Sequence, residues 1–225
     1  MKEKVSKKLA RAPFTTEELV KMTAAEFGRQ RLTDDEKSRL RAINEQRARR
    51  RLEWSAQLRA EEEPILADLQ TIGCDVKSVW DLVNTSRPYP DAIPILLKHL
   101  TKSYSDRTKE GIARALAVSD ARDAWPLLVA EYLKAPMGEV NGIRLGAKSG
   151  LAAALSAVAT DDVISQLAAL AKDKSNGDSR LLLLSALRRS KMPVAKNTLE
   201  ELADDPSLKK EIASWKKVRG KPGLV

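Results

Sequence analysis

Hydrophobic residues between positions 90 and 219 recur at the spacing of one helix face, and this pattern returns four times. Segments 91–96 and 123–128, 32 residues apart, are nearly identical in residue type. Each begins with Asp, which can cap a helix, and has Pro three residues later, in the first turn where no intrahelical N–H is needed. Aligning the four segments at positions i, i+4 and i+7 of the helix gives three sets of equivalent residues, which we call columns. These are Ile93, Trp125, Val163 and Ala195; Leu97, Val129, Leu167 and Leu199; and Leu100, Tyr132, Leu170 and Leu202.

A second helix is predicted after each of these segments. Gly111 and Gly150 align in it, and such small residues let helices pack closely. The last unit departs from the columns at Trp215 and Lys216, as expected of a terminal repeat. The columns are Ile112, Leu151, Leu183 and Ile212; Ala115, Ala154, Ala186 and Trp215; and Leu116, Leu155, Leu187 and Lys216. The sequence therefore predicts four helical hairpins, with a loop at 135–142. Their ranges are 91–118, 123–160, 161–190 and 193–219, followed by a tail at 220–225.

The second-helix segments resemble those of short bacterial HEAT-like repeats. In each segment the second residue is basic and an aliphatic residue follows three positions later. In the first three segments, Ala-Leu begins three positions after the aliphatic residue. The basic residues are Lys109, Lys148, Arg180 and Lys209. The resemblance covers about residues 90–219, and a divergent hairpin at 63–85 is an additional unit. It implies an all-α fold, a right-handed α–α superhelix of about four hairpins. The chain departs from the family in using Lys at three of the four basic positions. It also departs in lacking a matching Asp column before the helix, which the family's Asp–Arg ladder uses.

A basic N-terminal arm precedes the repeats. Residues 1–60 contain 16 Lys/Arg and 9 Asp/Glu, whereas the rest of the chain contains 24 and 22. Three capping-box patterns predict three helices in this arm, of which the longest spans about 34–62. Pro64 fits the first turn of a new helix, which places the boundary between the arm (1–62) and the repeat domain (63–219) there. The capping pairs are Thr15 with Glu18, Thr23 with Glu26, and Thr33 with Glu36.

The long arm helix combines a narrow apolar stripe with a dense run of arginines. The stripe is too narrow to bury much surface by itself, so we expect this helix to lie on the repeat domain, on a partner or on nucleic acid. The arginine run suits either an acidic protein surface or phosphates. The stripe consists of Leu40, Ile43, Arg47, Arg50, Trp54 and Leu58, and the run of Arg47, Arg49, Arg50 and Arg51.

Composition narrows the chemistry available to the chain. The net charge is +9, and 43% of residues are hydrophobic but only 4% aromatic, which disfavours a β-sandwich or barrel. Cys74 is the single cysteine and His99 the single histidine, so an intramolecular disulfide and multi-histidine metal sites are excluded. We predict no metal and no cofactor. With no membrane-spanning segment and no secretory signal, we expect a cytoplasmic protein in a reducing compartment.

No catalytic constellation is recognisable, and we predict a non-enzymatic protein. Residues 146–149, Gly-Ala-Lys-Ser, superficially suggest a phosphate loop, but Ala precedes the Lys and the segment lies in a repeat helix. Some DNA alkylpurine glycosylases use HEAT-like repeats and need aromatic residues in a concave channel. Trp80, Trp125 and Trp215 are available, but Trp125 and Trp215 fall in apolar packing columns.

Three functional hypotheses fit these features. The first is a non-catalytic HEAT-repeat scaffold or adaptor that binds an acidic protein surface through its concave face and basic arm. The second is a nucleic-acid-binding protein, in which the arginine run and the basic second-helix positions contact phosphates. The third is a glycosylase-like enzyme. The basic positions Lys109, Lys148, Arg180 and Lys209 form a row that either tracks phosphates or pairs with acids of neighbouring repeats.

Overall fold

The computed structural model describes residues 11–140 and 142–219, except for the side chains of residue 24 and of 216–219. The predicted tail at 220–225 and the side chain of Lys216 therefore lie outside the described part. The chain is mostly helical, with 71% of residues in helices and 2% in strands, which confirms the all-α class. It divides into two compact units, Met1–Gln57 and Leu58–Val225.

The first unit contains the three helix starts that the capping boxes predicted. Each threonine hydroxyl accepts the N–H of the glutamate three residues later, and each glutamate accepts the N–H of its threonine at 2.7 Å. These reciprocal bonds satisfy donors that have no partner inside the helix. The helices are α1 (Thr16–Lys21), α2 (Ala24–Arg29) and α3 (Asp34–Gln70), the last of which continues past the boundary between the units.

Glu36 does more in the first unit than close a capping box. Its carboxylate is buried and receives both terminal nitrogens of Arg11, at 2.8 and 3.0 Å, and the N–H of Phe14 at 2.7 Å. The hydrogen bonds from Arg11 and from the Thr33 N–H lower the pKa of Glu36 to about 2. Glu36 thereby ties the segment before α1 to the start of α3.

The predicted helix boundary at Pro64 is wrong. Pro64 lies inside α3, which continues to Gln70. A proline lacks the N–H and crowds the preceding turn, which is why it suggested a helix start. The surrounding residues are good helix formers, and Ile65 and Leu69 are completely buried, so tertiary packing outweighs the local cost. The helix ends where Gly73 adopts a φ of 76° and the N–H of Cys74 donates to the carbonyl of Leu69 at 3.1 Å.

The second unit places helices within each predicted hairpin range. The segment predicted as a loop at 135–142 also contributes to a two-stranded hairpin, in which Glu139 pairs with Arg144 and Val140 with Ile143. The elements are α4 (Val79–Val83), α5 (Ala92–Leu100), α6 (Asp106–Ala115), α7 (Trp125–Lys134), β1 (Glu139–Val140), β2 (Ile143–Arg144), α8 (Ala147–Val158), α9 (Ile164–Lys172), α10 (Arg180–Arg189), α11 (Pro193–Glu201) and α12 (Lys209–Arg219), with 3₁₀ helices at Ser119–Ala124, Lys174–Ser179 and Leu202–Asp204.

The helices of the second unit pack in chain order. Helices α4, α6, α8 and α10 contact one another successively, while α5 packs on α6, α7 on α8, and α9 on both α10 and α11. The apolar columns from the sequence are buried or half-buried at every position whose side chain is described. They belong to one hydrophobic cluster that extends from Ile65 to Ile212.

Gly150 explains the close contact between α6 and α8. A Cβ atom at this position would lie 2.9 Å from the carbonyl oxygen of Glu110 and 3.1 Å from the Cβ of Ala113. The absence of a side chain therefore lets the backbones of the two helices approach. Gly111 plays the same part on the other side of α6, because a Cβ there would lie 2.9 Å from the indole nitrogen of Trp80.

Candidate interaction surfaces

Arg180, at the start of α10, is buried and links this helix to the segment after α11, rather than being an exposed cation. Its side chain is 4% exposed and donates to the Asp205 carboxylate at 3.0 Å, to the Ala171 carbonyl at 3.3 Å and to the Gly177 carbonyl at 3.1 Å. The hydrogen bonds from Arg180 and from the Ser207 N–H hold the pKa of Asp205 below its usual value. An Asp–Arg pair therefore connects α10 to the segment that follows α11.

Lys148 is also buried, at 6% exposure. Its ammonium lies 4.7 Å from the ring centroid of Tyr132, whose hydroxyl shares a 2.8 Å hydrogen bond with that of Ser179. Burial lowers the pKa of Lys148, and the nearby charge of Asp173 partly offsets this effect. Lys148 thus contributes to the packing between α7 and α8.

The remaining two basic positions differ from each other. Lys109 is half-buried, with its ammonium 3.9 Å from the Glu131 carboxylate, whereas Lys209 is exposed. Two of the four predicted row residues, Lys148 and Arg180, are therefore buried, and two, Arg180 and Lys109, are paired with carboxylates. Arg180 and Lys109 therefore pair with acids of the same chain, which is one of the two alternatives that the sequence left open. Lys209 is the row residue whose side chain is classed as exposed.

The arginines of α3 are placed quite differently. Arg47, Arg49, Arg50 and Arg51 are all exposed, and among the described residues none of them forms an ion pair. Trp54 is 43% exposed on the same helix, and Leu40 and Ile43 are half-buried. At 100° per residue, one side of the helix carries what we call the α3 face. It consists of Leu40, Ile43, Arg47, Arg50, Arg51 and Trp54.

His99 takes part in a polar cluster of the second unit. The buried imidazole lies 3.0 Å from the Asp68 carboxylate through Nε2 and 2.8 Å from the Tyr104 hydroxyl through Nδ1. Asp68 also accepts from Lys98 at 2.8 Å, and the two donors lower its pKa to about 2. Both nitrogens of the ring therefore serve to join α3, α5 and the loop after α5.

Two of the three tryptophans considered for a glycosylase-like channel, Trp80 and Trp125, are engaged in contacts within the second unit. Trp125 is 7% exposed and donates to the side chain of Gln166, and the guanidinium of Arg107 lies 3.8 Å above the ring of Trp80. The described residues contain no group of metal-ligating side chains. None of the described helices combines the length and apolar character that a membrane span requires.

Comparison with known proteins does not assign the chain to a family. No family model matches the chain, and neither the curated proteins nor the solved structures contain a significant match. The function of the chain is therefore inferred from the placement of its own residues.

Proposed function

We propose that the protein is a non-catalytic scaffold or adaptor, built as a right-handed α–α superhelix of HEAT-like hairpins, that binds an acidic protein surface through its basic arm. Three features support the solenoid. Helices α4, α6, α8 and α10 stack in chain order, the aligned apolar columns share one core, and the Arg180–Asp205 pair joins consecutive hairpins. Nearest-neighbour contacts of this kind are typical of repeat proteins.

The α3 face carries the functional proposal. Its arginines are exposed and unpaired among the described residues, and an exposed tryptophan lies beside them. Arg and Trp are the residues most often found at energetic centres of protein interfaces. Leu40 and Ile43 on the same side favour a protein partner, because apolar side chains gain little from a phosphate backbone. The complementary surface is acidic with apolar positions in it.

The second helices are the natural candidates for a concave contact surface, as in other stacked hairpins. Because Lys148 and Arg180 are buried, this surface is less basic than the sequence suggested. We therefore assign electrostatic attraction of the partner to α3 and give the second helices the role of an extended platform.

Nucleic acid is the alternative partner, and one observation favours it. Arg49 lies about 160° around α3 from Arg47 and about 100° from Arg50, so positive charge extends around the helix. Phosphate contacts of this kind lose affinity steeply as salt rises, by roughly 10³-fold between 50 and 200 mM for six contacts.

Fluorescence anisotropy with random duplex DNA and RNA at these two salt concentrations separates the hypotheses. The adaptor proposal predicts weak binding at low salt that disappears at 200 mM. It also predicts that affinity purification from nuclease-treated extract recovers a partner protein in a stoichiometric amount relative to the chain. Changing the four arginines of α3 to Gln should abolish recovery of this partner. Changing four exposed lysines elsewhere, Lys77, Lys102, Lys134 and Lys174, to Gln is the matched control. Tight nucleic-acid binding at 200 mM salt, abolished by the arginine variant, contradicts the proposal.

A further inference from the structure

A groove at the C-terminal end of the second unit combines an apolar lining with a basic rim. It lies between α10, α11 and α12 and encloses about 540 Å³. Leu187 and Ile212 form part of its lining and are almost fully buried, and Leu199 and Ala203 are half-buried beside them. This volume is within the usual range for ligand sites and accommodates about two or three aliphatic side chains.

Trp215 forms one wall of the groove, at a position where the preceding second helices have alanine. At the equivalent position the three preceding second helices have Ala115, Ala154 and Ala186, which are at most 3% exposed. Trp215 is instead half-buried and lines the groove. Its ring is held in place, since the indole N–H donates to Glu211 at 3.0 Å and the guanidinium of Arg188 lies 4.8 Å from the ring centroid. A ring fixed before binding lowers the entropic cost of an interaction.

The rim of the groove is basic. Arg188, Lys191 and Lys196 are exposed around it. Two carboxylates lie near them: Glu200 is 3.9 Å from Lys196, and Glu211 accepts the indole N–H of Trp215, so the three cations remain in excess. Met192 is 39% exposed at the same rim, and its flexible thioether can adapt to different apolar groups. The charge arrangement selects an anionic occupant. A second copy of the chain is disfavoured, because each copy carries a net charge of +9.

We propose that this groove binds an acidic segment of another protein, with one or two large apolar side chains inserted beside Trp215 and carboxylates placed against the basic rim. The site lies in the second unit and does not depend on the α3 face. It extends the proposed function, because an adaptor with two independent acidic-partner sites can join two proteins.

The test uses the full chain labelled with ¹³C at its methionine methyl groups. The probe is an acetylated, amidated eight-residue peptide in which Leu alternates with Glu. Met192 reports on the groove, Met22 on the first unit and Met137 on a distant part of the second, and a Met192→Leu variant assigns the signal. We expect a saturable shift of the Met192 methyl, with Met22 and Met137 unchanged. A peptide with Lys in place of Glu, or Ser in place of Leu, is expected to produce no shift.

Charge reversal on the rim provides the second arm of the test. Lys191→Glu combined with Lys196→Glu is expected to weaken peptide binding about tenfold. Lys77→Glu combined with Lys102→Glu changes the net charge equally but far from the groove, and is expected to leave the affinity within about twofold. No shift of Met192 at millimolar peptide, equal weakening by both double variants, or a Met192 shift that depends on protein concentration without peptide overturns the proposal. The last outcome identifies self-association instead.

Discussion

The buried pair between Arg180 and Asp205 gives the sharpest test of the contact between α10 and the segment after α11. Asp205→Asn removes the negative charge but keeps an oxygen that can accept the N–H of Ser207, which Asp205 now binds at 2.9 Å. Arg180 then remains buried at 4% exposure without its counter-charge. Because an unpaired buried charge is costly, we expect the second unit to lose stability.

The expected magnitude depends on the burial of the two partners. Removing one member of a buried ion pair costs about 3–5 kcal/mol. The low end applies, about 3 kcal/mol, because Arg180 keeps hydrogen bonds to two backbone carbonyls. With a urea dependence of about 2 kcal/mol per molar, the unfolding midpoint falls by about 1.5 M. Asp178→Asn is the matched control. It breaks a pair with Arg144 in which both side chains are more than 70% exposed, so the expected loss is below about 0.5 kcal/mol.

Urea unfolding followed by tryptophan fluorescence measures both effects. A Trp54→Phe background leaves Trp80, Trp125 and Trp215, all in the second unit, as reporters. The combined change of Arg180→Met and Asp205→Leu is expected to recover only part of the loss. Two apolar groups replace the two charges, but the Ala171 and Gly177 carbonyls and the Ser207 N–H lose their partners. If Asp205→Asn costs no more than Asp178→Asn, the pair does not stabilise the contact between α10 and the segment after α11, and our reasoning is wrong.

Three further predictions concern packing, pH and thiol chemistry. Gly150→Ala is expected to cost about 1–3 kcal/mol in urea unfolding through its clash with α6, while Ser149→Ala next to it costs less than about 0.5 kcal/mol. Because the folded-state pKa of Asp68 is depressed to about 2, its stabilising effect is complete above the ordinary value of 3.8 and lost as pH falls through about 2. Unfolding free energies at pH 5, 3 and 2 should show this loss, and Asp68→Asn should flatten it. Burial and the charge of Asp75 raise the pKa of the Cys74 thiol. Iodoacetamide at pH 7.5 should therefore alkylate Cys74 several times more slowly than it alkylates the thiol of free glutathione.

The repeat register could be predicted because it depends on a periodic property. Each second helix buries an aliphatic residue at the same offset, and Ile112, Leu151, Leu183 and Ile212 are all at most 6% exposed. The helix starts in the first unit were predictable for a similar reason, because a capping box is a local interaction across three residues. Periodic and local signals of this kind do not require knowledge of the tertiary structure.

The features that were missed depend on tertiary context. Pro64 predicts a helix start from its own chemistry, and only the burial of Ile65 and Leu69 explains why α3 continues through it. Asp205 lies 25 residues after Arg180, in a loop, so no helical spacing connected them. The burial of Lys148 depends on the position of Tyr132 in the preceding helix. Basic residues at one repeat position therefore differ in exposure according to their neighbours.

Site-specific photo-crosslinking in the native host tests most directly whether the α3 face binds a protein. A benzophenone amino acid placed at position 54 lies on this face, and one at position 52 lies on the opposite side of the same helix, where Leu52 is 68% exposed. We expect that position 54 crosslinks to one protein through an acidic peptide, that position 52 does not, and that changing Arg47, Arg50 and Arg51 to Gln abolishes the product. Crosslinking to nucleic acid, or equal crosslinking from both positions, contradicts the proposed role of the α3 face.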